Sequence, residues 1–433
     1  MKKKLIMFAT AALMLTACSN DSDVVVPGGA SLQSGPSAVA FDTYTSSATK
    51  AGRAGVMTTT TLQAAQGDGG GFGVFSTYTD NGEYDPAAAK PNFMYNQGVF
   101  YTDGAWGYTP VKYWPNETGR DPQTAAPAAV ISSDVDKLSF FAYAPYVATA
   151  SGTAGITAMS ANNVTGDPKI TYAVATDPAQ SVDLLWGVAP AGGLSYPNVA
   201  GGTTTVLEGM PLKDLIKPDK DQKIKFLFKH ALSRIGLKVV GAFDQVAAGG
   251  SKDANTKITV DQIDIYGTGQ LGVSGVLNLN NTSAGVALWE STTKATGDDP
   301  VFTIANAALN TTIKDGGAVA FATQPAGVTA EEKNVFEDAN KYFMVIPTGA
   351  TNITVKIKYY VQTKDTNLAA SGSVDGSRIE NVITKTIAVN LQNNKAYNLK
   401  LILGMTSVKL DAEVADWQVD GSTEVYLPQN DAE

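Results

Sequence analysis

The chain has one cysteine, Cys18, and one histidine, His230, in 433 residues. A single thiol excludes an internal disulfide. A single imidazole excludes multi-histidine metal centres and leaves any Ser/His/Asp arrangement resting on His230 alone. Charged residues make up only 17% of the chain, below the quarter usual in soluble domains. The balance is acidic, a net −9, which argues against general attraction to nucleic acid or to anionic lipid. Neither a G-x-S-x-G nucleophile elbow nor a P-loop occurs. No period of 20–50 residues repeats, so a solenoid or propeller is disfavoured. The apolar run from Leu5 to Leu15 is too short for a transmembrane helix, which needs about 20 apolar residues.

What is there begins with that run. Lys2, Lys3 and Lys4 precede it, and the small residues Thr16 and Ala17 close it before Cys18. This is a secretory signal with a charged start, an apolar middle and a small-residue cleavage site. Leu15-Thr16-Ala17-Cys18 resembles a bacterial lipobox, in which the cysteine takes lipid and becomes the first residue of the mature chain. Each buried methylene adds about 0.8 kcal/mol, so several acyl chains on Cys18 would make a durable membrane anchor. The small, polar segment from Ser19 to Pro36 reads as a flexible tether. "AVAFDTY" at 38–44 alternates as a first strand, followed by the loop "SSATKAGRAG".

Beyond the loop, aromatic and β-branched runs bounded by Gly, Pro, Asn and Asp predict strands at 72–78, 93–110, 137–146, 169–175 and 183–189. Asp103-Gly104 is a two-residue hairpin signal, because a type I′ turn needs positive φ. In 223–241 the apolar parity slips near Ser233-Arg234, which predicts a bulge or bend in a strand. Two strands around a glycine turn are expected over 257–280. A polar stretch over 282–299 reads as the boundary between two domains, and about seven more strands follow. "TAEEKNVFEDANKYF" is the best helix candidate, with Thr329 as N-cap and Glu332 completing a capping box.

Candidate chemistry is sparse. His230 reads as a structural side chain bonded to a neighbouring carbonyl. "GTGQLG" at 267–272 matches G-x-G-x-x-G, yet "VSGVLNLN" after it alternates as a strand and not as the helix a pyrophosphate needs. The acidic turn "DNGEYD" at 80–85 offers three carboxylates for weak calcium binding but lacks EF-hand spacing. Trp106, Tyr108, Tyr113 and Trp114 are candidates either for a sugar-stacking platform or for core packing. Nothing in these patterns calls for a cofactor.

Taken in order, several stretches resemble the fimbrillin family, the type V pilins and fimbrillin-like lipoproteins of Gram-negative anaerobes. They are the lipobox Cys18, "YWP" at 113–115, "FFAYAP" at 140–145, "DLLWG" at 183–187, "FKHALSRIGLKV" at 228–239, "MVIP" at 344–347, "NKAYNLKL" at 394–401 and Trp417. The resemblance implies an all-β protein of two transthyretin-like β-sandwich domains in tandem, with short helices in loops. The expected division is a signal peptide over 1–17, a lipidated tether and removable strand over 18–53, and sandwiches over 54–285 and 286–433. It implies a non-enzymatic structural or adhesive subunit of a surface fimbria, anchored by lipid at the outer membrane and joined to other fimbrial subunits by donor-strand addition. Processing would fall after Arg53, leave Ala54 as the new N-terminus, and remove "AVAFDTY". Sixteen residues follow Trp417, which leaves stalk, tip, anchor and accessory roles open. The rival class is a monomeric surface glycan-binding lipoprotein using the Trp106 to Trp114 region.

Overall fold

The structure, a computed structural model, describes residues 38–45, 56–80, 82–115, 136–198, 202–218, 222–241, 256–305, 332–334, 342–371, 374–403, 408–416 and 425–426. The first strands are β1 (Phe41–Thr45), β2 (Phe72–Thr79), β3 (Met94–Thr102), β4 (Ala105–Gly107), β5 (Lys137–Ala144), β6 (Gly155–Met159) and β7 (Lys169–Ala173). Next come β8 (Leu185–Val188), β9 (Leu194–Asn198), β10 (Gly202–Val206), β11 (Leu212–Leu215), β12 (Ile224–His230) and β13 (Ser233–Gly241). After them run β14 (Thr256–Tyr266), β15 (Gly272–Asn278), β16 (Leu288–Lys294), β17 (Phe302–Ala305), β18 (Glu332–Asn334) and β19 (Phe343–Val345). The last are β20 (Gly349–Lys364), β21 (Ala370–Ser371), β22 (Val374–Leu391), β23 (Lys395–Leu403), β24 (Val408–Asp416) and β25 (Val425–Tyr426). Among the described residues helix is confined to α1 (Thr59–Leu62) and two 3₁₀ turns, at Gln66–Asp68 and Pro178–Gln180.

Sheet I runs β1-β12-β8-β5-β2-β3-β4, with β11 also on β5. Sheet II is β16-β15-β7-β6. Sheet III is β18-β13-β23-β24-β25, with β19 also on β13, and sheet IV is β17-β14-β20-β22-β21. A separate ribbon pairs β9 with β10. Between sheets I and II lie Phe75, Phe141, Tyr143 and Trp186 from one and Ile170, Tyr172 and Leu277 from the other. The opposite face of sheet I buries Phe41, Phe72, Phe140, Phe226 and Phe228 under Leu62, Trp114, Tyr196 and Val206. Sheet I is thus buried on both faces, which explains why β5 reads "KLSFFAYA" with little alternation. Sheets III and IV enclose a third core that includes Leu237, Leu399 and Leu401 with Ile263, Ile353 and Ile357.

Of the two expected causes of the parity slip in 223–241, a bulge or a bend, the structure has the bend, at Leu232 between β12 and β13. β12 pairs with β8 in sheet I, whereas β13 pairs with β23 in sheet III. The chain changes sheets at Ala231-Leu232, both fully buried, so the apolar face it presents changes there too. The glycine turn at 267–272 likewise carries the chain from sheet IV back to sheet II rather than closing a hairpin, since β14 pairs with β17 and β20 and β15 with β7 and β16. Within the polar stretch 282–299 stands β16, antiparallel to β15. It reads as polar because it faces solvent along most of its length. The helix candidate holds a strand instead: β18 pairs with β13 through Glu332↔Val240 and Asn334↔Lys238, so an available sheet edge outweighs local helix propensity. Asp103 and Gly104 take φ of 54° and 84° and close the β3–β4 hairpin, as the type I′ turn requires.

Candidate assembly site: the edge strand β1

β1 lies at one end of sheet I and pairs parallel with β12, Phe41 opposite Ile224 and Thr45 opposite Phe228. Every other named pair in that sheet is antiparallel. A parallel pair is slightly weaker per residue, so β1 holds less through its backbone than its neighbours do. Side chains compensate. Val39, Phe41, Thr43 and Thr45 all point inward and are at most 5% exposed, whereas Tyr44 between them is 43% exposed. That is the alternation read from "AVAFDTY".

Phe41 is the plug. Its ring meets Phe72 and Phe140 edge-on at 6.0 and 5.9 Å, Tyr108 at 5.5 Å, and stacks with Phe226 at 6.2 Å. Full burial of such a ring is worth about 1.5–3 kcal/mol, and aromatic pairs add about 0.5–1.5 kcal/mol. Polar bonds frame the plug. The Val39 amide donates to the Lys112 carbonyl at 2.9 Å, and the Tyr108 hydroxyl donates to the Val39 carbonyl at 2.7 Å. The Thr43 hydroxyl donates to the Phe226 carbonyl at 3.0 Å. Burial pushes the Tyr108 phenol up to about 12, so it remains a hydroxyl donor throughout the neutral range.

β1 ends at Thr45, and the described chain resumes at Val56. Both ends are pinned. The Thr45 amide donates to Thr59 Oγ1 at 3.2 Å. On the far side the Met57 amide donates to Asp183 Oδ2 at 2.9 Å, and His230 Nδ1 lies 2.7 Å from the same oxygen. Asp183 and His230 have no exposed side-chain surface. His230 is thus fully buried with a carboxylate, Asp183, as one of its partners. Thr58 then caps α1 through a capping box with Thr61.

Of the residues singled out from sequence, Cys18, Arg53, Ala54, Thr329 and Trp417 lie outside the described residues. The aromatic set divides. Trp114 is buried against Phe140 at 5.9 Å, Trp106 packs on Phe72 at 5.1 Å and Tyr101 at 5.2 Å, and only Tyr113 is half exposed, at 50%. These rings belong to the core around Phe41 more than to one open platform. In the acidic turn, Asp85 accepts the Ala87 amide at 2.9 Å, while the Tyr84 amide and hydroxyl go to Asp214 and Asp167. Among the described residues no group of three or more acidic, histidine or cysteine side chains is placed to hold a metal ion.

Comparison with known proteins bears on this arrangement. No family model matches the chain. A protein named fimbrium subunit Fim1C, from Phocaeicola vulgatus, is 33% identical over 141 residues, 32% of this chain and 31% of the relative. The alignment thus spans less than a third of that relative's length. A crystal structure of a fimbrial protein from Bacteroides vulgatus aligns over 88% of this chain and 99% of its own, with a TM-score of 0.58 and 22% identity. The chain is thus similar over about a third of its length to a fimbrium subunit, and it shares a fold with a fimbrial protein. The all-β, multi-sheet sandwich described above is consistent with a fimbrillin fold. The short strand β25, antiparallel to β24, is the last described element of the chain.

Proposed function

We propose that this protein is a structural or adhesive subunit of a cell-surface fimbria, without enzymatic activity. In this reading it is exported as a lipoprotein anchored at Cys18, cut after Arg53, and joined to a neighbour whose extended strand replaces β1. The single observation that carries the reading is β1 itself: an edge strand, paired parallel, whose inward residues fill a groove walled by Phe72, Phe140, Phe226 and Tyr108. Thr45 is bonded to Thr59 and Met57 to Asp183, so in this reading a cut after Arg53 separates β1 from a chain that stays anchored from Met57 onward.

Removal of β1 would leave unpaired amides and carbonyls on β12 beside an apolar groove, a combination stable only when another strand enters. An incoming strand from a second subunit makes a heterologous contact that need not close, which favours fibres over dimers. The similarity to proteins named as fimbrial supports the same class. Two sandwiches remain part of this proposal, but not a cut at residue 285 between 54–285 and 286–433: β13 and β14 (233–266) already pair with strands of the second, and the chain returns through β15 and β16 (272–294) to the first.

N-terminal sequencing of chains recovered from purified fibres is expected to begin at Ala54. Arg53→Ala is expected to give a lipidated chain that stays out of fibres, and Cys18→Ala to lose fatty-acid labelling. Normal assembly of Arg53→Ala, or residues 19–53 retained within fibres, would overturn the mechanism.

A further inference from the structure

We infer that the side chains of Lys169 and Asn278 condense, with Glu290 as the catalytic base and acid, to form an amide cross-link between β7 and β15. The inference concerns sheet II and does not rest on the strand replacement proposed for β1.

In sheet II, β15 lies between β7 and β16. Asn278 stands directly opposite Lys169, and directly opposed residues of an antiparallel pair share a face. The adjoining pair, Leu277 and Ile170, points into the core between sheets I and II, so Lys169 and Asn278 lie on the other face. Glu290 joins them through an irregularity of β16. Leu277 pairs with Trp289 and Val276 with Ser291, which leaves Glu290 as the extra residue of a bulge, a device that re-aims a side chain. Its carboxylate reaches both neighbours: Lys169 Nζ lies 2.6 Å from Oε2, and Asn278 Nδ2 donates to Oε1 at 2.7 Å. An ion pair between the two flanking strands thus crosses over the amide of the central one.

The amide is held at both ends. Nδ2 also donates to Asp167 Oδ2 at 2.9 Å, and Oδ1 accepts the Asn280 amide at 2.8 Å. A carboxylate only accepts and a backbone N–H only donates, so these partners fix which end is oxygen. Asn278 is 3% exposed, whereas the side chains of Lys169 and Glu290 are 37% and 35% exposed. The carbonyl to be attacked is shielded from water, and ammonia has a path out. Although desolvation raises the Glu290 carboxyl, the bonds from Lys169 and Asn278 lower it overall, so it starts as an anion and takes one proton from the Lys169 ammonium. The free Nζ attacks Cγ of Asn278, and the negative charge that gathers on Oδ1 is stabilised by the Asn280 amide. Glu290 passes its proton to Nδ2, the Cγ–Nδ2 bond breaks, and ammonia leaves with the surplus Nζ proton. One lysine ammonium and one carboxamide become one secondary amide and one ammonium ion, with no oxidant or cofactor. Groups fixed in contact react with effective molarities of about 10⁵–10⁸ M, and one turnover per molecule is enough.

The test uses the full chain isolated from cells, digested with trypsin and sequenced by mass spectrometry. A branched peptide joining Lys169 to Asn278 is expected, lighter than its two segments together by one ammonia, with cleavage after Lys169 lost. Lys169→Arg keeps a cation for the ion pair but has no primary amine. It is expected to abolish the branch and lower the melting midpoint while keeping the β-type circular dichroism of the parent. Glu290→Gln is expected to slow cross-linking about a hundred-fold or more, the loss usual for a general acid–base. A parent chain that trypsin cuts fully after Lys169 overturns the inference. So does a branch lighter by one water, which would put Glu290 and not Asn278 in the bond, and so does undiminished cross-linking in Glu290→Gln.

Discussion

Two strands near the margins of their sheets, β1 and β22, are held in opposite ways. β1 is short, is paired parallel, and is held mainly by side chains driven into an aromatic core. β22 is long, is held by an uninterrupted antiparallel ladder to β20, and leaves its isoleucines partly in water. The first strand is weak in backbone and strong in packing, and the second is the reverse. Packing of the first kind is lost all at once when the strand leaves, which suits an irreversible exchange. Ladder pairing survives loss of a single side chain, which suits a permanent strand.

The sharpest way to break this comparison is at Phe41. Phe41→Ala is expected to cost about 3–5 kcal/mol, the range for an aromatic truncated in a packed core, read as a lower denaturant midpoint. If the loss is near zero, β1 is held by its backbone and the contrast fails. Next is the anchor behind the loop. Asp183→Asn removes the carboxylate charge beside His230 but keeps an oxygen for the Met57 amide, and is expected to cost about 1–3 kcal/mol. Amide exchange should quicken at Met57 and leave β22 unchanged.

A smaller effect is expected with pH. The Tyr108 phenol is raised from 10.0 to about 12 by burial, so the folded chain keeps a proton that the unfolded chain has lost. Its contribution is complete below pH 10 and declines as pH rises toward 12. Tyr108→Phe should start less stable, having lost its bond to Val39, and fall less steeply over that window. Smallest of all is Ile379→Ser, at an exposed position where substitutions usually stay within about 0.5 kcal/mol. Calorimetry should show almost no shift. A large one would mean that Ile379 is already covered within one chain.

Much of this arrangement was legible before any coordinates. The alternation of Val39, Phe41 and Thr43 is visible in "AVAFDTY", and Asp103-Gly104 announces its turn. The groove was not legible. Phe72, Phe140 and Phe226 lie in three separate segments, and nothing local says that they converge on Phe41. Asp183 and His230 both sit in stretches noticed for their family likeness, yet their pairing spans 47 residues and has no short-range signature. β18 was hidden because "EEKN" favours helix when read alone, and its strand form is imposed by β13. β16 escaped for the opposite reason, since a strand facing solvent on much of its surface reads as a polar connection. The slip of parity after His230 was seen, but a change of sheet and a bulge leave the same mark in one dimension.

The bond between Thr43 and Phe226 closes 183 residues of chain, and its consequence lies in the order of events during folding. Contacts so distant in sequence form late, because the intervening chain must be ordered first. In synthesis, residues 41–45 precede their partner strand by most of the N-terminal half. They must wait unpaired while β2, β5 and β8 assemble, and β1 then docks last into a nearly finished sheet. A strand that joins after its groove has formed can leave without dismantling it. The same late docking that makes β1 slow to arrive would let it depart cleanly.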